Sequence, residues 1–492
     1  RSPEGEQGAA GLEQEQWESY RLANAKFADA VASVARSKDV VWVHDYHLML
    51  LPAYLQRKLR HANIGVFLHQ PFPSSEIFRC LAKREELLRG LLCADHIGFP
   101  LFEWAKNFLI CCRRLLQCTY EAKRGGGLAL SYHGREVAIT CSHLGIEPSL
   151  LLPKLQKGSV HRAAQLMKGS FGANVEHVVA SVDTLEGLMG VPLKLLAYES
   201  FLHAHPHRAS STVFVLHGIV PDARPDDYHA CRREVLGRIG RINSTFPSAV
   251  RFEEHAEFTF DERLVLYVVA DLLLLSSVRE GVSLIPFEYL LTRENAQPGG
   301  GAAPGALVLS EFSSCARVLG GGVLCNPWSI RKVGAAIETA LALSPAERAE
   351  RSARDVAFVH QNSASAWAGR LLRDVRLASR EDDATPGGGG GGVAAGTMPA
   401  GGLGLGLSWR MGPAGVFDGH AGSGSGSGHG RGHSVGKGGN GGGGGFCPLR
   451  EEAVLAAYRA TSRRLIVLDW EGTLAAPPDA REPIGSSSGS FG

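Results

Sequence analysis

The chain is 492 residues long and carries 51 Lys and Arg against 49 Asp and Glu. This near-zero net charge, without a long basic cluster, argues against a nucleic-acid partner. The longest apolar run, residues 264–275, is interrupted by Asp271 and is too short to span a bilayer, which argues against a membrane partner. The ten cysteines are scattered, which indicates buried thiols in a reducing compartment, so we expect a cytoplasmic protein.

From about residue 17 to 376, short β-branched runs alternate with segments of helical spacing. Such alternation predicts an α/β fold with parallel sheets built from strand–helix–strand units. The predicted strands are residues 40–44, 64–69, 136–140, 177–182, 213–220, 271–276, 306–310 and 323–326.

The first predicted strand ends in His-Asp-Tyr-His, with Asp45 at the second of these positions. Ionisable groups at the carboxyl end of a strand lie where open α/β sheets bind ligands. The alternative is that Asp45 caps the following helix and the two histidines pack in a loop. The second predicted strand ends similarly, at His69, before a proline-stiffened loop; a lone histidine there is more often structural than catalytic.

A third motif, SSVREGVSLIPFEYLL, leads from strand 271–276 through a turn into a helix. The amides of the turn (Gly281, Val282, Ser283 and Leu284) would present the positive end of that helix to phosphate oxygens. Glu288 follows one to two turns later, where it could reach a ribose. A buried capping carboxylate is the alternative for Glu288.

The C-terminal part of the chain changes character. Residues 387–445 contain 28 glycines, which predicts a disordered linker at about 384–447 that cannot bury a core. An ordered pattern restarts in RRLIVLDWEGTL, within residues 448–492.

Taken together, the motifs resemble glycosyltransferase family 20, the trehalose-6-phosphate synthases. The resemblance rests on WVHDYHLMLLP, FLHQPFPSSEIFR, the ADHIGF–CC–YHGREV–GIEP series and REGVSLIPFEYLL, in that order. LKLLAYESFL, CNPW and the trailing segment are most similar to the plant and algal branch, in which a synthase-like and a phosphatase-like domain are fused. The resemblance implies a GT-B fold of two facing Rossmann-like domains: an incomplete N-terminal one (residues 1–153) and a donor-side one (172–380).

The family resemblance also implies a reaction and a set of roles. Glucose passes from UDP-glucose to glucose 6-phosphate with retention, using neither a metal nor another cofactor. Asp45 matches a residue of the acceptor pocket, His69 matches the histidine at the transferred glucose, and Glu280 stands where the family has an aspartate at the sugar hydroxyls. Residues 281–284 match the turn at the diphosphate, and Glu288 matches the ribose carboxylate.

The chain departs from the family pattern at its cations. After the strand at 177–182 the family carries an arginine and a lysine that hold the diphosphate, but Thr184 and Met189 stand there. The acceptor-side arginine can be matched only to Arg224, with a slip of one residue. The family's glycine-rich N-terminal loop is absent, and the chain begins with Arg1 rather than Met, so we expect an incomplete N-terminus.

The segment RRLIVLDWEGTL resembles the first motif of haloacid-dehalogenase (HAD) phosphatases, DxDGT after an apolar strand. Asp469 matches the nucleophile, while Glu471 replaces the general acid. Residues 448–492 are therefore predicted to be the start of a HAD-like domain, too short to act, and Mg²⁺ would be needed only if a complete phosphatase domain existed.

The sequence predicts a synthase-like protein of trehalose biosynthesis with weak or no transfer activity, whose partners are a nucleotide sugar and a sugar phosphate. The alternative is a non-catalytic regulatory or sugar-phosphate-sensing protein with a protein partner. A trehalose-phosphate phosphatase in a longer native chain is the third hypothesis.

Overall fold

The computed structural model describes residues 3–383 apart from 37–38, 60, 124–126, 223 and 297–303, together with the strand 465–468. These residues form two α/β halves, each built on one sheet. None of the described helices is long and apolar enough to cross a membrane. The predicted linker at 384–447 and the nucleophile position Asp469 lie outside the described residues.

The first half contains a seven-stranded sheet in the order β13-β1-β2-β3-β6-β5-β4. Its strands are β1 (Val40–His44), β2 (Asn63–Phe67), β3 (His96–Phe99), β4 (Thr119–Ala122), β5 (Leu128–Tyr132), β6 (Arg135–Cys141) and β13 (Leu465–Leu468). Neighbours from β13 to β6 pair in parallel, whereas β4 and β5 extend the sheet as an antiparallel hairpin. Its helices are α1 (Pro3–Val34), α2 (Leu51–Lys58), α3 (Ser75–Phe78), α4 (Arg84–Leu91) and α5 (Phe102–Leu116).

Strands β1 to β3 consist mainly of buried Val, Ile, Phe and Trp, as expected for parallel strands covered on both faces. Helices α1, α2, α4 and α5 contribute apolar side chains to the same core, among them Phe27, Leu55, Leu91 and Phe108. This packing fixes the carboxyl ends of β1 and β2 next to each other.

The second half contains a six-stranded, fully parallel sheet in the order β12-β11-β10-β7-β8-β9. Its strands are β7 (His177–Thr184), β8 (Thr212–Ile219), β9 (Val250–His255), β10 (Leu272–Leu275), β11 (Ala306–Ser310) and β12 (Val323–Cys325). The helices that follow the first half are α6 (Pro148–Leu155), α7 (Gly158–Gly169), α8 (Val191–Ala204), α9 (Pro206–Ala209), α10 (Pro225–Thr245), α11 (Phe260–Val269), α12 (Ile285–Asn295), α13 (Ile330–Leu341), α14 (Pro345–Gln361) and α15 (Ala364–Asp383).

Helices at both ends of the second half cross the predicted domain limits. Helices α6 and α7 precede the predicted start of the second domain at residue 172, yet Leu151, Leu155 and Val160 pack into the core of the second half. In the other direction, α15 leaves the second half and packs on the first sheet, where Trp367 and Leu371 join Trp42 and Phe67 in one buried cluster. The predicted domain limits remain predictions. In the structure, α6 and α7 pack on the second half although they precede residue 172, and α15 packs on the first half although it lies near the end of the predicted second domain.

All eight predicted strands are present, and their ends differ by no more than two residues from the prediction. Four strands (β3, β4, β5 and β9) were not predicted. The segment 465–468, predicted to open a HAD-like domain, pairs in parallel with β1 at the edge of the first sheet. Its HAD-like nature remains a prediction.

Candidate functional site

The first group of candidate residues lies at the carboxyl ends of β1 and β2. Asp45 follows β1 with φ 60° and ψ −175°, a backbone conformation that is almost restricted to glycine. Its amide donates to Phe67 O at 2.8 Å, and its carboxylate accepts from the amide of Tyr46 at 3.0 Å. Backbone strain of this kind is common at functional sites. The contact with the Tyr46 amide also caps the 3₁₀ turn Tyr46–Leu48, as the capping alternative predicted, so the role of Asp45 in an acceptor pocket stays a prediction.

His69 lies beside His44 at the same edge of the sheet. Nδ1 of His44 and Nε2 of His69 are 2.9 Å apart, and the two rings are stacked with centroids 5.2 Å apart. Trp367 of α15 contacts both rings, at 6.3 and 6.0 Å between centroids. The His69 ring is therefore held by a second imidazole and by a helix that returns from the second half.

Asp45 lines an apolar cavity of about 480 Å³ in the first half. The cavity lies between α1 and the loop that follows β2. Its walls include Trp17, Tyr20, Tyr46, Gln70, Phe72 and Lys83. Aromatic walls with a few polar groups are the usual composition of a small-molecule site.

Glu280 follows β10 in the second half. Ser277 Oγ donates to Glu280 Oε2 at 2.9 Å. Burial raises the pKa of Glu280 above its ordinary value, although hydrogen bonds from Ser277 and Ser283 oppose the shift. A carboxyl group held in this way can accept hydrogen bonds from sugar hydroxyls or, when protonated, donate one.

The turn at 281–284 lies against the first half. A Cβ added to Gly281 would come within 2.7 Å of Gln70 Oε1, so the two halves meet here closely. Ser314 Oγ donates to Gly281 O at 3.1 Å, and Cys315 Sγ donates to Ser283 O at 3.0 Å. These contacts from the 3₁₀ turn Ser314–Arg317 hold the carbonyls of the loop and thereby orient its amides.

A second cavity, of about 470 Å³, lies between the two halves. The first half contributes Pro71, Phe72, Trp104 and Asn107, and the second half contributes Leu188, Arg279, Glu280, Phe312 and Trp328. The loop after His69 therefore faces Glu280 across a cleft, while His69 itself lines neither of the two cavities.

Glu288 lies on α12 and is only 8 % exposed. Its two carboxylate oxygens accept from Arg263, at 3.0 Å from Nε and 3.1 Å from Nη2, and Tyr267 Oη donates at 3.2 Å. Glu288 lines neither of the two cavities above. The predicted role at a ribose stays a prediction, and in this structure the carboxylate holds a protein ion pair.

Thr184 and Met189, the two positions matched to the family's diphosphate-binding cations, carry no charge in this chain. Thr184 ends β7, next to Ile219 of β8. Met189 ends a short 3₁₀ turn and packs against the core of the second half rather than lining either cavity. Arg224 has positive φ, exposes 66 % of its side chain and lies 3.7 Å from Glu186, so its match to the acceptor-side arginine stays a prediction.

Sequence reasoning missed three side chains that shape this region: His44, Trp367 and Arg263. His44 is the first residue of the His-Asp-Tyr-His motif. Parallel pairing of the first two strands would have identified it as a neighbour of His69. Trp367 and Arg263 carry no local signal, because each reaches its partner only through the packing of α15 or α11.

Comparison with known proteins gives a family match and a curated relative. The family model "Glycosyltransferase family 20" matches residues 4–376. An alpha,alpha-trehalose-phosphate synthase [UDP-forming] 6 from Arabidopsis thaliana is 32 % identical over 473 residues, covering 93 % of this chain and 50 % of the relative. This chain thus spans about half the length of that relative.

Solved structures share the architecture. The N-terminal domain of Candida albicans trehalose-6-phosphate phosphatase superimposes with a TM-score of 0.68 and 30 % identity, covering 74 % of this chain and 76 % of that one. An alpha,alpha-trehalose-phosphate synthase (UDP-forming) from Burkholderia xenovorans, solved with glucose-6-phosphate, superimposes with a TM-score of 0.67 and 26 % identity. The match covers 74 % of this chain and 78 % of that one. With a fold of the GT-B type and a family match over most of its length, this chain belongs to glycosyltransferase family 20.

Proposed function

We propose that the chain is a trehalose-phosphate-synthase-like protein whose cleft binds a nucleotide sugar, UDP-glucose, beside a sugar phosphate, glucose 6-phosphate. The observation that carries the proposal is the cavity between the halves, because the loop after His69 and Glu280 line it from opposite sides. UDP-glucose is the donor substrate, and the proposed reaction requires no further cofactor.

The proposed donor site uses the turn at 281–284 for the diphosphate. Among the described residues, its four amides donate to no backbone carbonyl, and they precede α12 directly. Amides at a helix start attract phosphate oxygens. Glu280 would hold the glucose hydroxyls, and His69, kept in place by His44 and Trp367, would approach the glucose from the first half.

Slow transfer is part of the proposal. Charge develops on the leaving UDP in the transition state, and Thr184 and Met189 offer no cation to meet it. Arg279 lines the same cavity and is exposed. Arg317 lines this cavity too, but it lies 3.6 Å from Glu103, so Arg279 is the cation on which residual transfer would mainly depend.

A regulatory, sugar-phosphate-sensing role is the second candidate, and the same two uncharged positions favour it. In that role the cleft would still bind the same ligands, but no glucosyl transfer would be required. The role also implies a protein partner. A phosphatase role in a longer chain and a cytoplasmic location both stay predictions from the sequence.

One experiment separates the two candidates. Purified chain is titrated calorimetrically with UDP and with glucose 6-phosphate, and trehalose 6-phosphate is then assayed with both substrates present. The enzyme proposal expects binding of both and slow product formation that Arg279→Gln reduces by about 10²-fold. Binding without product at any enzyme concentration would leave the sensing role, and absence of binding to both ligands would contradict both roles.

A further inference from the structure

Two histidines and a glutamate meet at the carboxyl ends of β8 and β9, away from the residues that line the two cavities. Nδ1 of His217 and Nε2 of His255 are 2.8 Å apart. Oε2 of Glu253 lies 3.8 Å from each of these nitrogens. One carboxylate oxygen is thus equidistant from two imidazole nitrogens.

These three atoms form a triangle of a size that suits a metal ion. For sides of 2.8, 3.8 and 3.8 Å, the point equidistant from the three corners lies about 2.0 Å from each atom. Zinc binds imidazole nitrogen at roughly 2.0–2.1 Å and carboxylate oxygen at roughly 2.0–2.2 Å. An ion there would replace the hydrogen bond between the two imidazoles, and tetrahedral coordination would widen their nitrogen–nitrogen distance from 2.8 Å to roughly 3.3 Å.

The surroundings restrain both imidazole rings. His217 is 3 % exposed and stacks on Phe258 with 4.4 Å between centroids, and His255 packs on the same ring at 4.7 Å. Packing on one shared phenyl ring restrains both imidazoles in their present orientation.

The negative charges nearby also favour a cation. Glu253 is 66 % exposed, so its side chain can adjust and an ion can enter from solvent. Glu262 adds a second negative charge close to both histidines, while its own carboxylate stays engaged with Thr259.

We infer that His217, Glu253 and His255 bind a divalent transition-metal ion, with zinc the best match to two imidazoles and one carboxylate. Three protein ligands leave one coordination position for water. The ion would tie the ends of two adjacent strands together, β8 just before the loop that carries Arg224.

A second cluster, His205, His207 and Glu338, offers a matched control. Its ligand atoms are also close together, but Arg208 donates to both oxygens of Glu338, at 3.2 Å from Nε and 3.2 Å from Nη2. The carboxylate is already occupied by a cation, so this cluster is expected to bind zinc poorly.

The test uses the full chain, freed of metal with a chelator and then titrated with zinc chloride by calorimetry. The expected result is one zinc per chain at the inferred site. His255→Gln and Glu253→Gln should each weaken binding by about tenfold or more, whereas His205→Gln combined with His207→Gln should leave it unchanged. Circular dichroism checks that each variant is folded, and the exposed Glu253 gives a variant whose fold is not at risk.

Cobalt provides a second readout, because exposed thiols such as Cys80 and Cys141 also bind zinc. Cobalt in the inferred site should give visible absorption without the near-ultraviolet band of thiolate ligands. Three results would overturn the inference: no binding at about 100 μM zinc, a cobalt spectrum with thiolate character alone, or equal affinity in the wild type and His255→Gln.

Discussion

Arg263 holds Glu288 by two hydrogen bonds, from Nε to Oε2 at 3.0 Å and from Nη2 to Oε1 at 3.1 Å. The pair bridges α11 and α12 and is largely buried, with 25 % of the Arg263 side chain and 10 % of the Glu288 side chain exposed. Paired hydrogen bonds of this kind are among the stronger polar contacts in proteins. The pair fixes the helix that begins just after the proposed diphosphate turn.

Glu288→Gln should lower the free energy of unfolding by about 2–3 kcal/mol, because it leaves the Arg263 guanidinium without its counter-charge. Arg263→Met should have a similar effect, and the double variant should lose less than the sum of the two. Urea denaturation measures all three. The control is Glu350→Gln, in an exposed pair with Arg354, which should change stability by less than about 0.5 kcal/mol. Strictly additive losses would show that the pair contributes no coupling energy.

A second buried ion pair, Lys194 with Asp183, should matter more. Lys194 Nζ donates to Asp183 Oδ1 and Oδ2 at 2.8 and 2.7 Å and to Ser181 Oγ at 2.6 Å, and its side chain is fully buried. Lys194→Met should lower the free energy of unfolding by about 3–5 kcal/mol, because it leaves the buried Asp183 carboxylate without a counter-charge. Adding Asp183→Asn should recover part of that loss. If unfolding in urea shows no recovery, packing of the lysine stem rather than charge explains the effect.

Strands were predictable where the hydrophobic signal was local. β1 and β11 are runs of β-branched or aliphatic residues, and they were predicted with their observed ends. β3 is only four residues long and contains His96 and Gly98, so its pattern was too short to detect. β9 reads VRFEEH, and its charged residues suit an edge strand with a partner on one side only.

The site was predictable to the extent that topology follows from sequence. Consecutive parallel strands must end at the same edge, which is why Asp45 and His69 could be expected together. The return of α15 could not be foreseen, because nothing in the residues around Trp367 distinguishes a helix that crosses to the first sheet from one that stays on the second. The ion pair of Glu288 was equally hidden, since its partner Arg263 lies on another helix.

Stability should depend on pH through Asp355. This side chain is 2 % exposed, and its Oδ1 accepts from the Gly321 amide at 2.8 Å. Burial raises the pKa of Asp355 from 3.8 to about 6. The folded state therefore binds the proton of Asp355 more tightly than the unfolded state does. The stability that this adds is fully present below pH 3.8 and is lost as the pH rises through 6.

Asp355→Asn, which keeps an acceptor for Gly321, should therefore gain stability over the wild type between pH 4 and 7, by at most about 3 kcal/mol. Denaturation at a series of pH values measures the difference between the two proteins. A difference that stays constant over that range would mean that Asp355 titrates at its ordinary pKa.

The last prediction concerns the two uncharged positions in the proposed donor site. Thr184→Arg together with Met189→Lys should tighten UDP binding by about tenfold or more, because each charge-assisted contact contributes roughly 1.5–3 kcal/mol. Met189 packs against the core, but a lysine stem can keep that packing while its ammonium reaches solvent. Binding of glucose 6-phosphate should change less. Thr184→Gln with Met189→Gln supplies comparable length without charge and should leave UDP affinity near that of the wild type. Calorimetry compares the three proteins, and an equal gain in both double variants would show that added contact area, rather than charge, is what the diphosphate site lacks.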